Sequence, residues 1–124
     1  MGDENRRVVE QLIDGLNRGD TSVMDEVFHD DAIMEWPQSR ERIRGAEQRR
    51  AVYGRFETLP TITPRRLLVE GDLCVAEASL DYDGTVYDCV FIFELRDGRI
   101  AKETAYWSQP FEAPAWRADL VERM

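Results

Sequence analysis

Residues Val8 to Pro37 carry a long amphipathic helix, a short helix and a short apolar strand with almost nothing between them, and few architectures begin that way. Val8, Val9, Leu12, Ile13 and Leu16 recur at steps of three and four, the spacing of a helix with one apolar face. Gly19 suits the C-cap of that helix. Asp20, Thr21 or Ser22 can cap a second, shorter helix whose inward residues are Val23, Met24, Val27 and Phe28. His29-Asp30-Asp31 breaks the helical pattern, and the strand Ala32-Ile33-Met34-Glu35-Trp36 follows, closed by Pro37. After a polar loop from Gln38 to Gly45, a third helix presents Arg49, Val52, Tyr53 and Phe56 as its inward stripe, and Pro60 and Pro64 end it. The remainder has the spacing of an antiparallel meander: Arg65 to Glu70, Leu73 to Tyr82, Val86 to Leu95 and Ile100 to Trp107. Helices followed by long antiparallel strands predict an α+β chain in which a curved, mostly antiparallel sheet wraps around helices and encloses a pocket.

A chain of 124 residues is expected to be one domain, spanning 1–124. Its formal charge of −9 argues against nucleic acid as a partner, because such binders neutralise phosphates with clustered Lys and Arg. The polar run Gly2 to Arg7 and the lack of any long apolar stretch predict no membrane partner and a cytoplasmic location. Cys74 and Cys89 lack metal-type spacing and His29 is the only histidine, so free thiols, no metal and no cofactor are expected.

The turns set the register. Asp83-Gly84 suits a two-residue hairpin loop, which pairs Tyr82 with Thr85, Leu80 with Tyr87, Ala78 with Cys89, Ala76 with Phe91 and Cys74 with Phe93. At Arg96-Asp97-Gly98 a three-residue loop is favoured, which pairs Phe93 with Ala101, Phe91 with Glu103, Cys89 with Ala105 and Tyr87 with Trp107. A two-residue Asp97-Gly98 turn would instead aim Lys102, Thr104 and Tyr106 inward.

The sequence here resembles a known family. Val8-Val9-Glu10-Gln11-Leu12 through Leu16-Asn17-Arg18-Gly19-Asp20, then Val27-Phe28-His29-Asp30-Asp31-Ala32, Trp36-Pro37 and the turn Asp97-Gly98-Arg99-Ile100 are similar to the nuclear-transport-factor-2-like superfamily, which includes steroid isomerases, limonene epoxide hydrolases and SnoaL-like proteins. The resemblance implies a cone-shaped barrel with an internal pocket, commonly dimeric through its sheet. It does not bring the known catalytic sets with it. The steroid isomerase base position is occupied by Trp36, its tyrosine by Leu12 and its second aspartate by Phe91. The Asp-Arg-Asp set of the epoxide hydrolases aligns with Leu80, Ala78 and Ala105, and the aspartate common near the end of the SnoaL-like last strand aligns with Ser108.

The favoured register makes Glu103 and Tyr53 the candidate catalytic residues. Glu103 among aromatic neighbours would lose solvation and become a general acid or base, and Tyr53 would donate a hydrogen bond. Leu12, Met34, Trp36, Arg49, Phe56, Tyr87, Cys89, Phe91 and Trp107 are the candidate substrate-binding residues, for a small apolar molecule. The alternating aromatic stripe is also what a plain core looks like. Three readings therefore stand: a cofactor-independent isomerase, cyclase or hydratase/dehydratase, a non-catalytic hydrophobic-ligand binder, and a dimeric scaffold. The tail, 110–124, holds Phe111, Trp116 and Leu120, expected to pack on the pocket mouth or on a partner, and the mixed outer sheet face containing Val75, Val90, Ile92 and Tyr106 predicts a homodimer.

Overall fold

The computed structural model describes residues 2–124, in which three helices pack against one six-stranded sheet. The elements run α1 (Gly2–Asn17), α2 (Val23–Val27), β1 (Phe28–Trp36), β2 (Glu41–Arg44), α3 (Gly45–Tyr53), β3 (Thr61–Glu70), β4 (Leu73–Tyr82), β5 (Thr85–Arg96) and β6 (Arg99–Ser108), with a short 3-10 turn at Ala115–Arg117. Strand order is β2-β1-β6-β5-β4-β3, so the curved sheet is open, with β2 and β3 at its edges. All neighbours are antiparallel except β1 and β6, which run parallel.

The opening helix, helix, strand order is as the periodicity predicts, and its close spacing has a steric cause. A Cβ built on Gly15 would lie 2.5 Å from Cγ1 of Val23, so α1 and α2 cross where only a hydrogen fits. Hydrogen bonds fasten α1 to the far edge of the sheet at both ends. Asn5 donates to the Gly71 carbonyl (2.8 Å) and to Asp72 (3.2 Å). Asn17 donates to the Ile62 carbonyl (2.9 Å) and accepts from the Ile62 N–H (2.7 Å). Val9, Leu12 and Ile13 are thereby buried over the concave face.

Three element expectations need correction. Strand β1 begins at Phe28, so Phe28 and His29-Asp30-Asp31 lie in the strand rather than in the second helix and a break after it. The segment 38–45 is not all loop: Glu41–Arg44 folds back on β1 as strand β2, pairing Ile43 with Met34, and it was missed because a four-residue strand with three charged residues carries little apolar pattern. Helix α3 stops at Tyr53, well before Pro60, so Phe56 lies beyond the helix; Pro64 sits within β3 at a bulge rather than ahead of the sheet.

The sheet register is partly as expected. Strands β4 and β5 pair in the predicted way, Leu80 with Tyr87 through Cys74 with Phe93, around a turn in which Asp83 and Gly84 have φ of 54° and 102°. The β5–β6 hairpin differs. Its turn has two residues, Asp97 and Gly98, at φ of 53° and 77°, and Arg96 pairs with Arg99. One extra residue, Ala101, then enters β6 between the Leu95–Ile100 and Glu94–Lys102 pairs. The result pairs Phe93 with Glu103, Phe91 with Ala105 and Cys89 with Trp107, two residues away from the favoured register. A two-residue turn alone would expose Glu103; the bulge turns it back to the concave face.

The tail after Ser108 forms only the short 3-10 turn. Phe111, Trp116 and Leu120 are 78%, 73% and 74% exposed, so in the single chain these side chains lie in solvent, away from the cavity.

Candidate functional site

Between α1, the end of α3 and the concave face of the sheet lies a cavity of about 560 Å³, large enough for a molecule of drug-like size. Helix α1 contributes Leu12, Ile13 and Leu16. Strands β4 and β5 contribute Ala76, Ala78 and Leu80, then Tyr87, Phe91 and Phe93. The alanines keep the space open where larger residues would fill it. Strand β1 supplies Trp36, and β6 supplies Glu103 and Trp107. Tyr53 closes the end nearest α3, and Phe56, whose ring lies 5.1 Å from that of Tyr53, stands at the mouth with 41% of its surface exposed. Trp36 and Trp107 meet edge to face at 5.3 Å, and Phe91 meets Trp107 in the same way at 6.2 Å, a geometry that suits aromatic quadrupoles.

Among the described residues Glu103 is the only Asp, Glu, His, Lys or Arg in this wall, and it is 5% exposed. Its neighbours across the strands, Phe93 on β5 and Met34 on β1, carry no hydrogen-bonding partner for it. Burial raises its pKa from 4.5 to about 8, opposed by the positive charge of Arg49. At neutral pH it is therefore mostly a carboxylic acid, able to give a proton as well as take one. Burial, reinforced by Glu103, lifts Tyr53 well above an ordinary phenol, so its hydroxyl stays a donor. Tyr82, also in the wall, is pushed up to about 12 chiefly by burial.

Of the substrate-binding residues expected from sequence, Leu12, Trp36, Phe56, Tyr87, Phe91 and Trp107 line the cavity; Met34, Arg49 and Cys89 do not. Met34 is buried where β1 pairs with both β2 and β6. Cys89 sits on the concave face two residues from both Tyr87 and Phe91, whose longer side chains form the wall. Its buried, free thiol is raised to about 11, which makes it a poor nucleophile. Arg49 is 1% exposed and turns the other way, toward α2: its Nη2 reaches Asp25 at 3.4 Å and its guanidinium stacks over Phe28 at 4.9 Å. Its Nε and Nη1 have no partner among the described residues. Burial lowers its pKa, and Asp25 counters that.

Sequence reasoning overlooked Ser39, Leu59, Pro60, Ile62, Tyr82 and Thr85 in the wall. Two of these were within reach. The Asp83-Gly84 hairpin places Tyr82 opposite Thr85 on the same face as Leu80 and Tyr87. The Leu59-Pro60 segment enters the wall because α3 ends early, which the local pattern did not reveal.

A curved sheet folded over three helices around an apolar cavity is the nuclear-transport-factor-2-like architecture. The chain belongs to the SnoaL-like family, since residues 9–103 match the model of the SnoaL-like domain. It is similar to a nuclear-transport-factor-2-like protein of unknown function from Burkholderia xenovorans, with 34% identity over 98% of this chain and 96% of that one and a TM-score of 0.85. A putative ketosteroid isomerase from Kribbella flavida is 25% identical over 99% and 91% of the two chains, with a TM-score of 0.90. An epoxide hydrolase of the limonene epoxide hydrolase type from M. tuberculosis shares the fold, at 23% identity over 86% and 84% and a TM-score of 0.73. None of the curated proteins compared matches the sequence.

Proposed function

We propose that this protein is a cofactor-independent SnoaL-like enzyme that works on a small apolar molecule by general acid/base chemistry, of the isomerase, cyclase or hydratase/dehydratase type. One observation carries the reading: a carboxyl group without a hydrogen-bond partner stands in the wall of an otherwise uncharged aromatic cavity. In such a site a carboxyl near neutrality in pKa is matched to moving a proton at physiological pH. Glu103 takes a proton from an activated carbon or hydroxyl and returns it to another atom of the same substrate. Tyr53, a buried phenol beside it, donates a hydrogen bond to the oxygen on which negative charge develops. Trp36, Phe91 and Trp107 hold the apolar body, and Leu12, Phe56 and Tyr87 bound it at the helix side and the mouth.

The test is the pH dependence of turnover on a panel of β,γ-unsaturated ketones and small tertiary alcohols. The kcat/KM profile inflects near pH 8, rising through it if Glu103 first accepts a proton and falling if it first donates one. Glu103→Gln loses turnover; unchanged rates in that variant refute the assignment. A second reading, a binding module for hydrophobic ligands, is supported by the absence of any second carboxylate or histidine in the wall. Ligand that co-purifies with the chain, with no turnover of any panel member, favours it.

The working form in this proposal is a cytoplasmic homodimer joined through the outer sheet face. Val75, Val90 and Ile92 are only partly covered there and Tyr106 is 39% exposed, an apolar strip that a second copy would shield. Sedimentation of wild type against Tyr106→Glu measures it, a monomer in both cases excluding the dimer. No helix among the described residues is long and apolar enough to cross a membrane.

A further inference from the structure

From the placement of Glu103, we infer that the cavity selects an apolar molecule bearing an ammonium group, which the Glu103 carboxylate receives as counter-ion while aromatic side chains of the concave face surround it. This rests on the preceding reading of Glu103 as the working group and names the class of molecule it works on.

The geometry supplies the two halves of an ammonium site. The first is the unanswered carboxyl. Glu103 is 95% buried, has no hydrogen bond or ion pair among the described residues, and still borders the cavity. The groups facing it can be taken element by element. Strands β5 and β1 put Phe93 and Met34 opposite it, both uncharged. From α1 come Leu12, Ile13 and Leu16. From α3 come the Tyr53 phenol, which is a neutral donor, and the charge of Arg49, which lies outside the wall, where Nη2 meets Asp25, the guanidinium stacks over Phe28, and Nε and Nη1 have no partner among the described residues. A buried carboxylate with no partner is costly, so without one Glu103 stays protonated. A cation that enters from solution provides the missing partner.

The second half is the aromatic surround. Phe93 is directly across from Glu103, Phe91 is its diagonal neighbour at ring distance 6.3 Å from Phe93, and the Trp107 and Trp36 rings continue the same wall. Ring faces within about 6 Å of an ammonium attract it through their quadrupoles, and desolvated sites strengthen that attraction. A ligand anion would meet the carboxyl and find no basic residue in the wall, only the indole N–H groups of Trp36 and Trp107, which have no partner among the described residues. The chain's charge of −9 adds a long-range bias in favour of cations reaching the mouth. Entry of the cation also sets the chemistry, because it converts Glu103 from the acid to the carboxylate, the form that accepts a proton from the bound molecule.

Benzyltrimethylammonium and its uncharged isostere neopentylbenzene separate these effects, since they differ only in nitrogen for carbon. The ammonium has no proton to lose, so any proton released on binding comes from the protein. By calorimetry at pH 7 in phosphate and in Tris, wild type is expected to bind the ammonium at least about tenfold more tightly than the isostere. It is expected to release about 0.9 proton per site, the protonated fraction of a group with pKa about 8. The ammonium's affinity rises about fiftyfold from pH 6 to pH 8, while that of the isostere stays flat. Glu103→Gln abolishes the proton release and the preference and still binds the isostere. Equal or tighter binding of the isostere to wild type, absence of proton release, or binding of neither compound overturns the inference. Turnover of the uncharged panel with an inflection near pH 8, accompanied by no preference for the ammonium, would overturn the ligand class alone and leave the acid/base role of Glu103 standing.

Discussion

Replacing Glu103 with glutamine should change the pH dependence of folding stability, by an amount that follows from the burial of the carboxyl. In the unfolded chain the group has a pKa near 4.5, and in the fold it is about 8. The folded state therefore binds the proton more tightly, so the stability it confers is complete below pH 4.5 and is lost as pH rises toward 8. Within that window the slope approaches about 1.4 kcal/mol per pH unit, because the unfolded chain is ionised while the fold is not. Between pH 5 and pH 8 the wild type thus forfeits about 3 to 4 kcal/mol through this one group, a large share of the total for a small domain. Glutamine keeps the size and some polarity but does not titrate. Urea unfolding of both proteins at pH 5, 6, 7 and 8 gives two curves, and their difference should grow in favour of Glu103→Gln by about 3 kcal/mol across the series. All other titrating groups cancel in that difference. A constant offset between the two proteins would mean that Glu103 is solvated in the fold, and the cavity chemistry argued above would fall with it.

Three further predictions concern the frame around the site. Gly15→Ala forces a methyl to within 2.5 Å of Val23; despite about 1 kcal/mol of better helix propensity, it should lower stability by about 1 to 2 kcal/mol in urea unfolding. Asn17→Ala removes both hydrogen bonds to Ile62 and strands its N–H, for a cost of about 1 to 3 kcal/mol, together with faster amide exchange at the start of β3. Arg49→Met exchanges a buried guanidinium with two unpartnered donors for an apolar side chain; the expected outcome is unchanged or higher stability, with the pH inflection of turnover displaced above 8, and a loss beyond about 3 kcal/mol would show the Asp25 contact to be essential.

The fold was legible wherever one physical signal acted alone. Val9, Leu12 and Ile13 announce a helix face by spacing, and Asp83-Gly84 announces a tight hairpin because its residues tolerate positive φ. Elements without such a signal were misread. Strand β2 is held by its pairing with β1 rather than by its own residues, and α3 ends at Tyr53 and Gly54, ahead of any proline. In the site, Glu103 faces inward as expected, but by a different route from the one reasoned. The turn contributes two residues, and the missing half-period comes from Ala101, an ordinary residue that gives no hint of a bulge. Helical phase alone puts Arg49 on the inward stripe of α3. Its length and charge carry it instead to Asp25, a contact between segments that local pattern does not encode.

The single unpaired residue in β6 gives this family member a compact way to change its chemistry. Drawing Ala101 into the ladder opposite Glu94, as an unbulged strand would, slides the rest of the strand by one position against β5 and inverts which side chains occupy the cavity wall: Lys102, Thr104 and Tyr106 would enter, and Glu103 and Trp107 would leave. No residue in the wall need be substituted for that exchange of an acid for an amine. Comparison of such proteins by aligned residue type would therefore overlook the most consequential difference between two members, which can lie in whether one residue is left out of the ladder. A bulge gained or flattened near the Asp97-Gly98 turn is a reason to expect a different reaction, even where the residues of the strand are the same.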